Sequence, residues 1–180
     1  MSLVILDRDG VINVETGEHV KSPDEWIAIE GSLQAVARLN HAGFRVVIAT
    51  NQSGLARKLF DIETLNKIHA KMQRQLGEVG AVVEAVFFCP HADKDGCECR
   101  KPKPGLLLDI SSRLRMPLDD VPMIGDSWRD VNAARACGAR PILVRSGRPE
   151  STHVELPDDI EVYADLAAAA DALVQEKLGR

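Results

Sequence analysis

The chain has 180 residues, a formal net charge of −5, 45% hydrophobic and 27% charged residues. That length gives room for one domain with a real core and too little for two comfortable ones. The acidic balance excludes a general attraction to nucleic acid or anionic membrane, so an anionic ligand requires a local cluster of basic groups.

Leu3 to Leu6 is a continuous apolar run, the pattern of a strand buried on both faces. It is too short for a signal peptide and has no basic residues before it, and no later stretch approaches the roughly 18 apolar residues of a membrane span. A cytoplasmic protein with reduced cysteines is expected. Ser32 to His41 has helical spacing and Gly43 is placed as its stop. Phe44 to Ala49 reads as the second buried strand. Asp61 opens a longer helix through Leu65, Ile68, Met72 and Leu76 that ends near Gly77 or Gly80.

Val82 to Phe88 reads as a third strand. A third helix starts around Pro104, since proline is well tolerated at the first helical position. Val121 to Ile124 is a short strand, followed by a helix over Asp130 to Ala136 stopped by Gly138. Pro141 to Val144 is another strand, and Leu166 to Leu178 is a closing alanine-rich helix. This alternation implies an α/β fold, a Rossmann-like parallel sheet with helices on both faces, in a single domain over 1–180. Two irregular stretches, Asn13 to Trp26 and Cys89 to Lys103, each follow a predicted strand, which favours a functional role.

Open parallel sheets bind ligands beyond the carboxyl ends of their strands. Three predicted strands end in residues suited to phosphate and metal: Asp7-Arg8-Asp9-Gly10, Thr50-Asn51-Gln52-Ser53-Gly54 and Gly125-Asp126-Ser127. Asp7 and Asp9 lie on one side of an extended backbone, with Arg8 on the other. Adjacent carboxylates repel unless a cation lies between them or one holds a proton, an arrangement suited to a nucleophile and a general acid. Asp126 adds the negative charge that Mg2+ seeks. Thr50 and the following glycine-containing turn offer donors to phosphoryl oxygens. Arg100, Lys101 and Lys103 supply local positive charge.

In that order Asp7-Arg8-Asp9-Gly10-Val11, Thr50, a downstream lysine and Gly125-Asp126 resemble the haloacid dehalogenase superfamily of phosphatases. The fuller runs Asp7–Asn13, Thr50–Gly54 and Cys99–Gly105 are similar to its heptose-bisphosphate phosphatase branch, with the histidinol-phosphate phosphatases as a near relative. The resemblance implies that Asp7 attacks phosphorus and that Asp9 protonates the departing oxygen and then activates water. It implies Mg2+ held by Asp7, the Asp9 main-chain carbonyl and Asp126, with Thr50 and Lys101 anchoring the phosphoryl group. Arg8, Glu15, Thr16, Gly17, Glu18, Asn51, Gln52, Ser53 and Arg100 are implied to meet the rest of a small phosphorylated sugar, in a pathway to bacterial cell-surface polysaccharide. No insertion is long enough for a separate cap domain. Asp130 reads either as an acid supporting the metal or as a first-turn acid of a helix.

Cys89, His91, Cys97 and Cys99 bring three thiolates and one imidazole into one short loop, a ligand set standard for structural Zn2+. The resemblance supports zinc in this loop (89–99), where it would hold Arg100 and Lys101 beside the phosphate. Disulfides or metal-free thiols are the alternatives. Cys137 reads as a buried apolar residue, and His19, His41, His69 and His153 have no partner visible in the sequence. A phospho-accepting signalling domain shares the acids, Thr and Lys, but Asp9 is placed to hydrolyse its acyl-phosphate. A zinc-dependent nucleic-acid module would need a basic, aromatic face. A monomer without nucleic-acid or membrane partners is expected.

Overall fold

The structure, a computed structural model, describes residues 2–147 and 160–179; His153 lies outside them. Five helices and six strands follow in the order β1 (Ser2–Leu6), α1 (Ser32–His41), β2 (Phe44–Asn51), α2 (Ile62–Glu78), β3 (Ala85–Cys89), α3 (Gly105–Leu114), β4 (Pro122–Gly125), α4 (Trp128–Ala136), β5 (Arg140–Val144), β6 (Glu161–Tyr163) and α5 (Leu166–Leu178). The strands form one parallel sheet in the order β3-β2-β1-β4-β5-β6. The chain runs outward from β1 through β2 to β3, then returns to the other side of β1 with β4. That reversal opens a crevice at the carboxyl ends of β1, β2 and β4.

The continuous apolar runs are explained by burial on both faces. In β1, Val4 and Leu6 join Val46, Ile48 and Ile124 in a core closed by α1, α2 and α5. Leu3 and Ile5 point the other way, with Val47, Ala49 and Met123, onto α3 and α4. Asp61 caps α2, its side chain accepting from the Thr64 N–H, a contact that contributes about 1 kcal/mol in typical cases. Beyond α1, α2 and α4 stand Gly43, Gly80 and Gly138, with φ of 80°, 71° and 78°, the left-handed stop for which glycine is preferred. Gly77 lies inside α2, so Gly80 is its terminator.

The differences from the sequence expectation have local causes. β3 begins at Ala85 rather than Val82, because Val82 is exposed and its N–H donates to the Asn40 side chain instead of a neighbouring strand. α4 starts at Trp128, two residues early, because the Asp130 side chain reaches back to accept from the Ser127 N–H and hydroxyl at the helix entry. β6 was not expected: three residues are too few to carry an alternating pattern. Cys137 is only partly buried, against the α3–α4 core.

Candidate active site

The carboxyl ends of β1, β2 and β4 border a cavity of about 390 Å³ whose wall includes Asp7, Asp9, Asn51, Gln52, Ser53, Arg100, Lys101 and Asp126. Lys101 is its electrostatic centre. The ammonium is buried, donates to the Ala49 carbonyl at 2.7 Å, and pairs with Asp7 at 3.0 Å and Asp130 at 2.6 Å. Burial opposes its charge, but Asp130 and Asp7 outweigh it and raise the lysine pKa. Its backbone is fixed by Asn51, whose amide donates to the Lys101 carbonyl at 3.0 Å and accepts from the Lys101 N–H at 3.1 Å.

Asp7 is pushed well above the usual carboxylate range, first by burial and then by Asp130, Asp126 and Asp9, against the pull of Lys101. Asp126 is raised to about 7 by burial and Asp130. Asp7, Asp126 and Asp130 each offer an oxygen, all within 4.8 Å of one another. Such a crowd of carboxylates suits a divalent cation, which supplies the missing positive charge. Space around Asp126 is tight: a Cβ on Gly10 would lie 2.2 Å, and one on Gly147 1.9 Å, from its Oδ2. Asp130 is committed elsewhere, one oxygen to Lys101 and the other to the Ser127 N–H at 3.2 Å and hydroxyl at 2.8 Å. It therefore caps α4 and holds Lys101.

Asp9 is set oppositely. Burial raises its pKa, but Arg8 and hydrogen bonds from Asn13, Arg8 and Gln52 win and lower it. The donors are Arg8 Nη2 at 2.8 Å, Asn13 Nδ2 at 2.9 Å and Gln52 Nε2 at 3.0 Å. The Arg8 side chain is fully buried, turned onto Asp9 and His69 rather than lining the cavity, while its main-chain N–H donates to Asp7 Oδ1 at 2.8 Å. The extended geometry that sends Arg8 away from Asp7 was visible in the alternation itself. Thr50 is also off the cavity wall; it is buried and accepts from Gln52 Nε2 at 2.9 Å, which leaves its own hydroxyl proton to donate.

From the first irregular loop, Glu15, Gly17 and Glu18 reach the cavity, but Thr16 does not, its hydroxyl being turned to the Glu18 carbonyl at 2.9 Å. Buried Val20 and Trp26 pin this loop to the core. His19 lines the cavity and meets the Ser53 hydroxyl at 2.9 Å. Arg100 lines the cavity with its charge already paired to Asp93 at 2.5 Å. Ser127, Trp128 and Arg129 complete the wall. Ser127 belongs to the strand end already singled out in the sequence; Trp128 and Arg129 were missed although they directly follow it.

The four expected zinc ligands converge. Cys99 Sγ lies 3.0 Å from Cys89 Sγ and 3.6 Å from Cys97 Sγ, Cys89 and Cys97 are 3.6 Å apart, and His91 Nδ1 is 3.3 Å from Cys99 Sγ. Tetrahedral zinc with bonds of about 2.3 Å sets its sulfurs about 3.7 Å apart, close to the two 3.6 Å separations and longer than that of Cys89 and Cys99. Burial pushes the Cys89 and Cys99 thiols up, a penalty a cation would remove. Cys89 ends β3 in register with Asn51, and the Gln52 N–H donates to its carbonyl at 2.8 Å, so the cluster is tied to the cavity wall.

Comparison with known proteins agrees with this geometry. A model for polynucleotide kinase 3 phosphatase matches residues 3–131, and a HAD-hydrolase-like model matches residues 98–169. The D-glycero-beta-D-manno-heptose-1,7-bisphosphate 7-phosphatase of Bordetella bronchiseptica is 55% identical over 178 residues, covering 98% of this chain and 99% of the relative. The enzyme of the same name from Pseudomonas aeruginosa is 45% identical over 97% of this chain and 98% of its own. The crystal structure of D,D-heptose 1,7-bisphosphate phosphatase from B. bronchiseptica, complexed with magnesium and phosphate, superposes with a TM-score of 0.94 at 54% identity, covering 98% of this chain and 99% of that one. The parallel sheet, the acids at its strand ends and these relatives together make the chain a phosphatase, and it belongs to the haloacid dehalogenase superfamily, in the family of the heptose-1,7-bisphosphate 7-phosphatases.

Proposed function

We propose that this chain removes the 7-phosphate of D-glycero-β-D-manno-heptose 1,7-bisphosphate through an aspartyl-phosphate on Asp7, as one phosphatase domain. The observation that carries the chemistry is the placing of Asp7 between Lys101 and Asp126 at the floor of the cavity. The substrate and its β-anomer rest on the names borne by the relatives.

Asp7 and Asp126 side chains, with the Asp9 main-chain carbonyl, would hold Mg2+, which when bound supplies positive charge to the nucleophile and the phosphoryl oxygens. Asp7 attacks phosphorus and the sugar oxygen departs with a proton from Asp9. Water activated by Asp9 then hydrolyses the acyl-phosphate, so one hard displacement becomes two easier ones. Asp9 rests as a carboxylate, the form the second step needs. The anionic phosphoryl group arriving beside it raises its affinity for the proton the first step needs. Lys101 and the Thr50 hydroxyl anchor the phosphoryl group.

Histidinol phosphate is the alternative substrate. Arg129, exposed on the cavity wall, has no ion pair within 4 Å among the described residues, so it offers charge for a second phosphate that histidinol phosphate lacks. The experiment compares kcat/KM for Mg2+-dependent phosphate release. A preference of about 100-fold or more for the bisphosphate is expected, equivalent to about 2.7 kcal/mol of transition-state binding; a preference for histidinol phosphate moves the protein to another pathway.

The cysteine loop is proposed to bind one structural zinc per chain, keeping Arg100 and Lys101 in place. Cys97→Ser is expected to lose the metal and, by displacing Lys101, to lower kcat about 10-fold or more at saturating Mg2+. Full activity in a demonstrably zinc-free variant, by metal analysis, contradicts this role.

A further inference from the structure

Arg8 stands between two catalytic aspartates yet contacts neither substrate cavity nor solvent. Arginine is almost never fully buried unless paired, and the pairing here is specific. Nε and Nη2 both reach Asp9 Oδ1, at 3.1 and 2.8 Å, and Nη2 also reaches Oδ2 at 3.1 Å. The remaining nitrogen, Nη1, lies 3.1 Å from Nε2 of His69 on α2. An arginine has only donors and keeps its proton, so His69 Nε2 must present a lone pair, and the imidazole is neutral. Burial and the Arg8 charge agree, pushing His69 down to about 4.

A guanidinium is a rigid planar fork. Held at Nη1 by an acceptor on a packed helix, it presents its Nε–Nη2 edge in one direction, and that edge, together with the Asn13 and Gln52 amides, sets the rotation of the Asp9 carboxylate. Orientation matters here, because misplacing a catalytic group by about 1 Å costs on the order of 100-fold in rate.

We infer that Arg8, braced by His69, forms a positioning pair that orients Asp9 for proton transfer to the leaving oxygen. This rests on the reading of Asp9 as the acid in phosphoryl transfer. His69 touches no reacting atom, and its contribution runs from α2 through one buried guanidinium to the catalytic carboxylate.

The test separates positioning from mere stability through the leaving group. The sugar alkoxide needs a proton to depart, whereas p-nitrophenolate departs without one, and kcat/KM reports only the steps through the first irreversible transfer. His69→Leu, which removes the acceptor, is expected to lower kcat/KM on the heptose bisphosphate about 10-fold or more and on p-nitrophenyl phosphate less than about 3-fold. His69→Gln, which returns an acceptor at similar reach, should restore most of the loss. Arg8→Lys, which keeps the charge and loses the fork, should reproduce the dependence on leaving group. Equal losses on both substrates, or no loss on either, overturn the inference. Asp9→Asn is the control: if it too hits both substrates equally, the acid role itself falls and this inference with it. If Asp9→Asn discriminates and His69→Leu does not, only the positioning pair is refuted.

Discussion

Asp7→Asn is expected to lower kcat by about 10⁴-fold or more while leaving the folded protein at least as stable as the wild type. The two halves have one cause. The carboxylate is the proposed nucleophile, and an amide oxygen cannot form the acyl-phosphate. It is also buried among Asp130, Asp126 and Asp9, which together with burial raise its pKa well above normal. A carboxyl whose folded pKa is raised contributes stability below its unfolded pKa and loses it as pH rises through the folded value. Without a divalent cation, ionising Asp7 as pH rises therefore opposes folding, and the isosteric amide, which does not ionise, removes that opposition. Steady-state kinetics together with thermal denaturation in a chelator measure both halves. Residual turnover within about 100-fold of wild type would remove Asp7 as the nucleophile.

Lys101→Met is expected to be among the most destabilising single changes in the chain, at about 3–5 kcal/mol, because removing one partner of a buried ion pair strands the other. Here two carboxylates are stranded, Asp7 at 3.0 Å and Asp130 at 2.6 Å, and the Ala49 carbonyl loses its donor. The loss should appear as a lower urea midpoint with an unchanged slope. Asp130→Asn in the Lys101→Met background should recover part of it, since contacting sites couple by about 0.5–3 kcal/mol. A loss below about 1 kcal/mol would mean that water reaches these carboxylates and screens them. Activity should fall by about 10²-fold or more, as when an anchoring donor is removed from a transition-state site.

Much of this arrangement was legible in the residues alone. Runs such as Leu3–Leu6 and Phe44–Ala49 admit little but a doubly covered parallel sheet, and the fold then brings their carboxyl ends together. Asp7, Asp9, Lys101 and Asp126 were identifiable because each sits at or just beyond such an end, or in a loop leaving one. The direction of individual side chains was harder to read. Arg8 belongs to the same motif as Asp7, but the strand's alternation buries it against α2. The partner that makes sense of it, His69, lies 61 positions away, a contact that no local pattern announces. Arg100 looked like a free cation, yet Asp93 from its own loop pairs with it. Asp130 had two readings in the sequence, and in the structure it caps α4 and holds Lys101 while also offering an oxygen beside those of Asp7 and Asp126. Trp128 and Arg129 were overlooked because they lie past the strand end, in the first turn of α4.

The central claim is that phosphate leaves from carbon 7 of a heptose bisphosphate, with Mg2+ present. The most direct measurement is phosphorus NMR of D-glycero-β-D-manno-heptose 1,7-bisphosphate during turnover by the wild-type enzyme with Mg2+. The account predicts that the C7 phosphomonoester resonance gives way to inorganic phosphate, leaving the anomeric phosphate intact, and that chelating the magnesium stops the change. Loss of the anomeric phosphate instead, or no release from this substrate while another phosphomonoester is consumed, would contradict it.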